Sequence, residues 1–393
     1  MKSIDEYEKH SIHLLDITLF SFHFLPSREY ESSISRIDLC ICNAYFGEGL
    51  LLCESFKEYN LIYLPLFYFT PINRGIMKTT NRIKELDYLK CVFIILMIAF
   101  HLVYISDRYP YTKNIVYTFH MSAFLLISGY LVNIQKNTKV FFRDIMWIFI
   151  PYMFMEIGYV VMSAILPVRE VVHELTLGIV LHKVFIAPMG PYWFLHTLVL
   201  CNVVYFLIYK YIKANVLSRL IIVGLVYFLL SYGFHLLSFS NAIYFLVGIA
   251  LFQSGQRFLS IFHPSLFAII PFTLLCLFPS NLDRSTLGGF AITYLCISFL
   301  LFLYTYFTNC LKRFFSFIGQ HTLIILLFSP VFTILSKSYL PFFSFDPSGI
   351  LFMSVSVIFV VTGCLFIAFL IDKLHLSKLC FGKERLLRED DLE

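Results

Sequence analysis

The chain has 393 residues, of which 59% are hydrophobic and only 14% charged. Soluble domains carry roughly 45–50% apolar and roughly 25% charged residues, so this composition excludes a water-soluble globular fold and sets the apolar excess against lipid. The net charge of +5 forms no concentrated basic block, which excludes a nucleic-acid-binding role.

Residues 1–76 alternate short apolar patches with Asp, Glu, Ser and Arg, and no run reaches the roughly 20 residues of a spanning helix. The start is not basic, and the patch around Leu14–Leu25 is broken by Asp16 and His23, so no signal peptide is expected. At Met77-Lys78 the character changes, and MKTTNRIKELDYLK leads directly into an apolar run. This pattern predicts a core that starts at Met77 behind an N-terminal extension, 1–76; the alternative is a peripheral segment lying on the membrane.

Apolar runs follow near 89–105, 115–133, 141–166, 191–212, 216–238, 240–256, 264–280, 287–308, 318–339 and 349–372. They predict an all-α, polytopic integral membrane protein with about ten transmembrane helices, a membrane domain over 77–375 and a charged cytoplasmic tail over 376–393. The connections are short and polar, as in QKNTK at 135–139 and PSNLDRS at 279–285. The longest, around 167–189, holds the apolar stretch Leu175–Val184 and is expected to dip into the membrane interface. With alternating loops, eighteen Lys and Arg from residue 78 onward fall on the side of both termini and six on the other. Cytoplasmic loops carry the Lys/Arg excess, so both ends of the core are expected in the cytoplasm.

The ten Cys form no CxxC pair, and most lie in apolar segments, as Cys91, Cys201, Cys276 and Cys364 do. Buried reduced thiols are expected rather than disulfides, and no metal site. Ionisable groups inside a membrane are costly and are candidates for function. They are His101, His120, Arg143, Asp144, Glu156 and His196. Lys90 lies eleven residues before His101, which returns it to within roughly 20° of the same helix face and about 16 Å away. His120 enters from the opposite side, about 8 Å below that surface. The two histidines are thus expected at similar depths on antiparallel helices. A histidine suits general-base work near neutrality; the alternative for each is an interhelical hydrogen bond. Ser128-Gly129 suit close helix approach, and Trp193 suits an interfacial belt.

RIKELDYLKCVFIILMIAFH, FHMSAFLLISGYL, FFRDIMWIFIPY and GPYWFLHTLVL, in this order, resemble the acyltransferase 3 family. The likeness covers about 80–375 and is greatest to the fucose 4-O-acetylase-like branch, with its LDYLK start and FHM…SGY second helix. It implies a bacterial inner-membrane O-acyltransferase. The donor substrate would be cytoplasmic acyl-CoA, acetyl-CoA foremost, with no bound cofactor. The acceptor would be a sugar hydroxyl of a surface polysaccharide or its lipid-linked precursor, among membrane lipids.

The likeness also implies roles. His101 would be the base, and His120 would orient the acceptor or stabilise the oxyanion. Arg82, Lys90 and Arg143 would hold the donor. Asp87, Ser128, Gly129, Glu156 and Trp193 would serve structure or substrate positioning. The sequence departs from the family pattern at three points. Lys90 stands where Arg is commoner, the usual second Arg near Arg143 is missing with Trp147 nearby, and Ser329 stands where a late His is often found. The competing class is a carrier or flippase for lipid-linked glycans. Such proteins often show internal inverted repeats, and none is visible here.

Overall fold

The computed structural model describes residues 82–165, 172 and 174–387, and among these every regular element is helical. The expected extension over 1–76 and the start at Met77 fall outside the described residues. The first half of the chain forms α1 (Lys84–His101), α2 (Val103–Arg108), α3 (Pro110–Leu131), α4 (Thr138–Ile165), α5 (Leu177–Phe185), α6 (Trp193–Tyr211) and α7 (Val216–Phe228). Then come α8 (Phe239–Gln253), α9 (Phe258–Ile261), α10 (Ile269–Cys276), α11 (Leu287–Thr305), α12 (Asn309–Gln320), α13 (Thr322–Leu335), α14 (Ile350–Lys373) and α15 (Ser377–Phe381).

Seven helical stretches, beginning at Pro110, Thr138, Gly190, Val216, Leu287, Thr322 and Ile350, are long and apolar enough to cross a membrane. The protein is therefore an all-α polytopic membrane protein. The other three expected spans are helices at their expected places that differ in length or charge. The Phe239–Gln253 helix and the Leu266–Cys276 stretch are shorter. Eleven residues rise only about 16 Å, against a hydrocarbon core of about 30 Å.

The third, α1, carries Lys84, Glu85, Asp87 and Lys90. The charges sit in its first two turns, where Lys84 is exposed and buried Asp87 is paired, and the apolar remainder of α1 is enclosed by protein. It packs against α3, α11, α12, α13 and α14, and Leu89, Cys91, Phe93, Ile94 and Ile98 are fully buried. Its neighbour α3 is also mostly enclosed, with 67% of its apolar window buried, whereas α4 and α14 bury only 28% and turn apolar faces outward.

Helix α12 was not separable from its neighbours by apolarity. It is amphipathic and packs on α1 so closely that a Cβ on Gly319 would strike the Asp87 carbonyl. The same device joins α3 to α8. A Cβ on Gly129 would strike the Phe245 carbonyl, and one on Gly248 the Leu126 carbonyl. Backbone approach of this kind is how small residues join membrane helices. Gly129→Val is therefore expected to destabilise the protein by about 3 kcal/mol or more, because backbone cannot yield as a side chain can. Half-buried Ser128, replaced by Ala, should change stability by no more than about 0.5 kcal/mol. Thermal unfolding of the purified protein in detergent measures both.

Candidate active site

Helix α1 ends at His101 because Leu102 is extended, with ψ 108°. The break frees the Phe100 carbonyl, and the Tyr117 hydroxyl on α3 donates to it at 3.1 Å. Tyr117 thereby sits between the two histidines, its ring centroid 6.0 Å from that of His101 and 5.3 Å from that of His120. Both histidines line one cavity of about 80 Å³, with Trp193, Pro191 and Arg284. A larger cavity of about 240 Å³ adjoins through His101, Tyr117 and Pro191, and takes in Ser329 and Lys337.

The hydrogen bonds set the tautomers. His101 Nδ1 lies 2.7 Å from the Met97 carbonyl and His120 Nδ1 lies 2.6 Å from the Val116 carbonyl. A carbonyl only accepts, so each Nδ1 carries hydrogen and each neutral ring keeps its lone pair on Nε2. His120 Nε2 is buried with no hydrogen-bond partner among the described residues. Arg284, in the connection between α10 and α11, stacks its guanidinium 5.7 Å from the Trp193 ring centroid. Its Nη1 donates to the Asn241 side chain at 2.9 Å, and its carbonyl accepts from the Tyr244 hydroxyl. The loop thus presents a fixed cation to the same cavity as both histidines.

A third cavity, of about 530 Å³, opens at the opposite end of α1. Arg82, Lys383 and Arg385 line it with Asp144, Trp147 and His321. It approaches the histidine cavity along α13, where Leu323 lines the one and Leu326 the other. Residues three apart on a helix are neighbours on one side, with a rise of about 4.5 Å.

Of the donor-binding residues expected from sequence, Arg82 lines this lower cavity; Lys90 and Arg143 are not among its lining residues. Lys90 and Arg82 share the buried Asp87 carboxylate, at 2.7 and 2.5 Å. Arg143 is 64% exposed and 3.9 Å from Asp144. The Lys90 contact gives Lys90→Ala a structural consequence. Asp87 would keep Arg82 alone while only 4% exposed, so a stability loss of about 1–3 kcal/mol is expected, with Lys90→Arg retaining most of it. Thermal unfolding beside the KM for donor separates this loss from any donor contact.

Glu156 and His196 lie apart from the cavities and hold the loop above them. Glu156 accepts from the Met189 amide at 2.7 Å, and His196 Nε2 donates to the Phe185 carbonyl at 2.9 Å. Two residues past the Met189 anchor the loop delivers Pro191 to both histidine-side cavities. Gly129 serves the α3–α8 contact, and Ser128 is not among the residues lining the histidine cavities. Trp193, expected as a belt residue, is a platform for Arg284.

Comparison with known families gives a match to the acyltransferase 3 family, described as an acyltransferase domain, over residues 83–369. The chain belongs to the acyltransferase 3 family. No curated protein and no solved structure is significantly similar to it. The match makes the protein a membrane acyltransferase, with an acyl donor and an acceptor as substrates. In this acyltransferase the matched region contains His101, His120, Trp193 and Arg284, and stops short of Lys383 and Arg385. Sequence reasoning missed Tyr117, Arg284 and the two tail cations. Arg284 was visible only as one of few cations on its side of the membrane. Tyr117 stood one turn before His120, on the same helix face.

Proposed function

We propose that this acyltransferase moves an acyl group, acetyl foremost, from cytoplasmic acyl-CoA to a sugar hydroxyl of a cell-surface polysaccharide or its lipid-linked precursor. The observation that carries the reading is the pair of histidines on antiparallel helices, each with Nδ1 tied to its own helix and both lining one cavity. The basic lower cavity suits an anionic donor, and the Lys/Arg bias of the loops supports its opening to the cytoplasm of a bacterial inner membrane.

His101 Nε2 takes the proton of the acceptor hydroxyl as its oxygen attacks the thioester carbonyl. The tetrahedral intermediate collapses, the carbon–sulfur bond breaks, and the protonated His101 returns the proton to the departing thiolate. In its neutral tautomer His120 Nε2 accepts a hydrogen bond. That chemistry suits holding the acceptor hydroxyl rather than stabilising an oxyanion. Arg284 is the donor group better suited to the developing negative charge.

The test is mass spectrometry of surface polysaccharide from cells with and without the protein. Loss of an acetyl mass increment from a defined sugar is expected. An unchanged polysaccharide, with the protein made and inserted in the comparison cells, overturns the acceptor assignment.

A further inference from the structure

The lower cavity is walled on one side by a segment that lies beyond the family match. After α14 the chain turns back, and residues 377–387 dock onto the ends of α4, α13 and α14. Asp372, in the last turn of α14, anchors this return. Its carboxylate accepts from the Leu386 and Leu387 amides at 2.7 and 2.8 Å and from the Ser377 hydroxyl. His321, buried at the start of α13, places Nε2 3.0 Å from the Leu386 carbonyl and Nδ1 2.7 Å from that of Phe317. Gly382 packs flat on the Trp147 indole, where any Cβ would collide, and has φ +66°. Phe381 and Leu386 are buried beneath the turn. The intervening Lys383 and Arg385 are thereby held against the cavity that Arg82 also lines.

We propose that this tail is a clasp that completes the donor site, with Lys383 and Arg385 binding the phosphates of a coenzyme A nucleotide. The inference rests on the reading of acyl-CoA as donor and adds the residues that grip it. Three cations line the cavity; Arg82 also shares Asp87, and the lining carboxylate Asp144 pairs with Lys136 at 2.7 Å. A guanidinium and an ammonium on one short segment suit clustered phosphates, which guanidinium binds in bidentate fashion. The cavity's approach to the histidines along α13 fits a donor anchored by its nucleotide with the thioester reaching inward. Lys383 and Arg385 are binding residues; Asp372, His321 and Gly382 act through them as positioning residues.

The experiment compares the full chain in neutral maltoside micelles, free of lipid phosphate, with its Lys383→Gln/Arg385→Gln variant. Calorimetric titration uses coenzyme A and 3′-dephospho-coenzyme A. Both side chains are exposed, so the unfolding temperature should be unchanged. Each lost charge-assisted contact is expected to weaken coenzyme A binding about 10-fold. With acetyl-CoA as substrate, KM should rise by a similar factor while kcat stays within about 2-fold. Asp372→Asn, which releases the clasp but keeps its cations, should raise KM in the same direction. A double variant that binds coenzyme A with the wild-type Kd, in a protein that turns over acetyl-CoA, overturns the clasp. A wild-type protein that neither binds coenzyme A nor uses acetyl-CoA overturns the donor reading beneath it, a separate outcome visible before any variant is made.

Discussion

His101→Ala is expected to lower acyl transfer by about 10²–10⁴-fold, the usual contribution of a positioned general base, while leaving membrane insertion unchanged. The size follows from the placement of the ring. Its Nδ1 hydrogen is engaged by the Met97 carbonyl, so the ring cannot rotate to present the wrong nitrogen. The helix break after it turns the side chain toward the cavity shared with His120. His101→Gln keeps polarity and much of the volume but lacks a basic nitrogen, and should be nearly as impaired. Tyr117→Phe removes the hydroxyl that meets the Phe100 carbonyl and should give a smaller loss by loosening the ring. Single-turnover transfer from radiolabelled acetyl-CoA in proteoliposomes separates these cases. A His101→Ala protein that inserts and transfers at the wild-type rate removes the base from the mechanism and shifts attention to His120.

The part of the site that was legible in the sequence is the part written along single helices. The eleven-residue spacing of Lys90 and His101, and the opposed entry of His120, depend only on helix rise and rotation, and the two histidines do line one cavity. Lys90 was legible as a cation at the helix mouth. Its contact with Asp87 is an i,i+3 pair on one helix, whereas the second partner, Arg82, precedes the first turn of α1, where no helical periodicity applies. The break after His101 has no Gly or Pro to announce it; it is sustained by a tertiary hydrogen bond from another helix. Hydropathy located all ten helical stretches. It overstated two lengths, because loop residues beside the helices near 239–253 and 266–276 are apolar as well.

The departures from the family pattern gain a physical setting. Trp147, near the place of the missing second Arg, is the surface on which the Gly382 turn of the tail rests. Besides Arg82, the cations at that cavity are Lys383 and Arg385, more than two hundred residues from Trp147 in sequence. Ser329, at the place of the late His, does line the larger histidine-side cavity, where its hydroxyl lies 3.4 Å from the Leu326 carbonyl. A serine there leaves His101 and His120 as the imidazoles lining these cavities among the described residues.

Arg284→Gln carries the second large expected effect, a fall in kcat of about 10²–10³-fold, the scale of losing one preorganised donor to an oxyanion. Arg284 is held on several sides, by the Trp193 ring, the Asn241 carbonyl oxygen and, through its own backbone, the Tyr244 hydroxyl. A cation fixed in advance costs no reorganisation when charge develops on the thioester oxygen. Both histidines present acceptor nitrogens in their neutral tautomers, so neither supplies that donor at the moment of attack. Arg284→Lys keeps charge but loses the planar stack and the fork that reaches Asn241 and the cavity together, and should recover only part of the rate. The split between constants decides the role. A donor to the transition state lowers kcat with little change in KM, whereas a contact to the bound acceptor raises KM for acceptor at constant kcat. Asn241→Ala, which frees the guanidinium without removing it, should lower kcat less than Arg284→Gln does. A loss confined to acceptor KM in all three variants would reassign Arg284 to acceptor binding and leave the oxyanion without its cation.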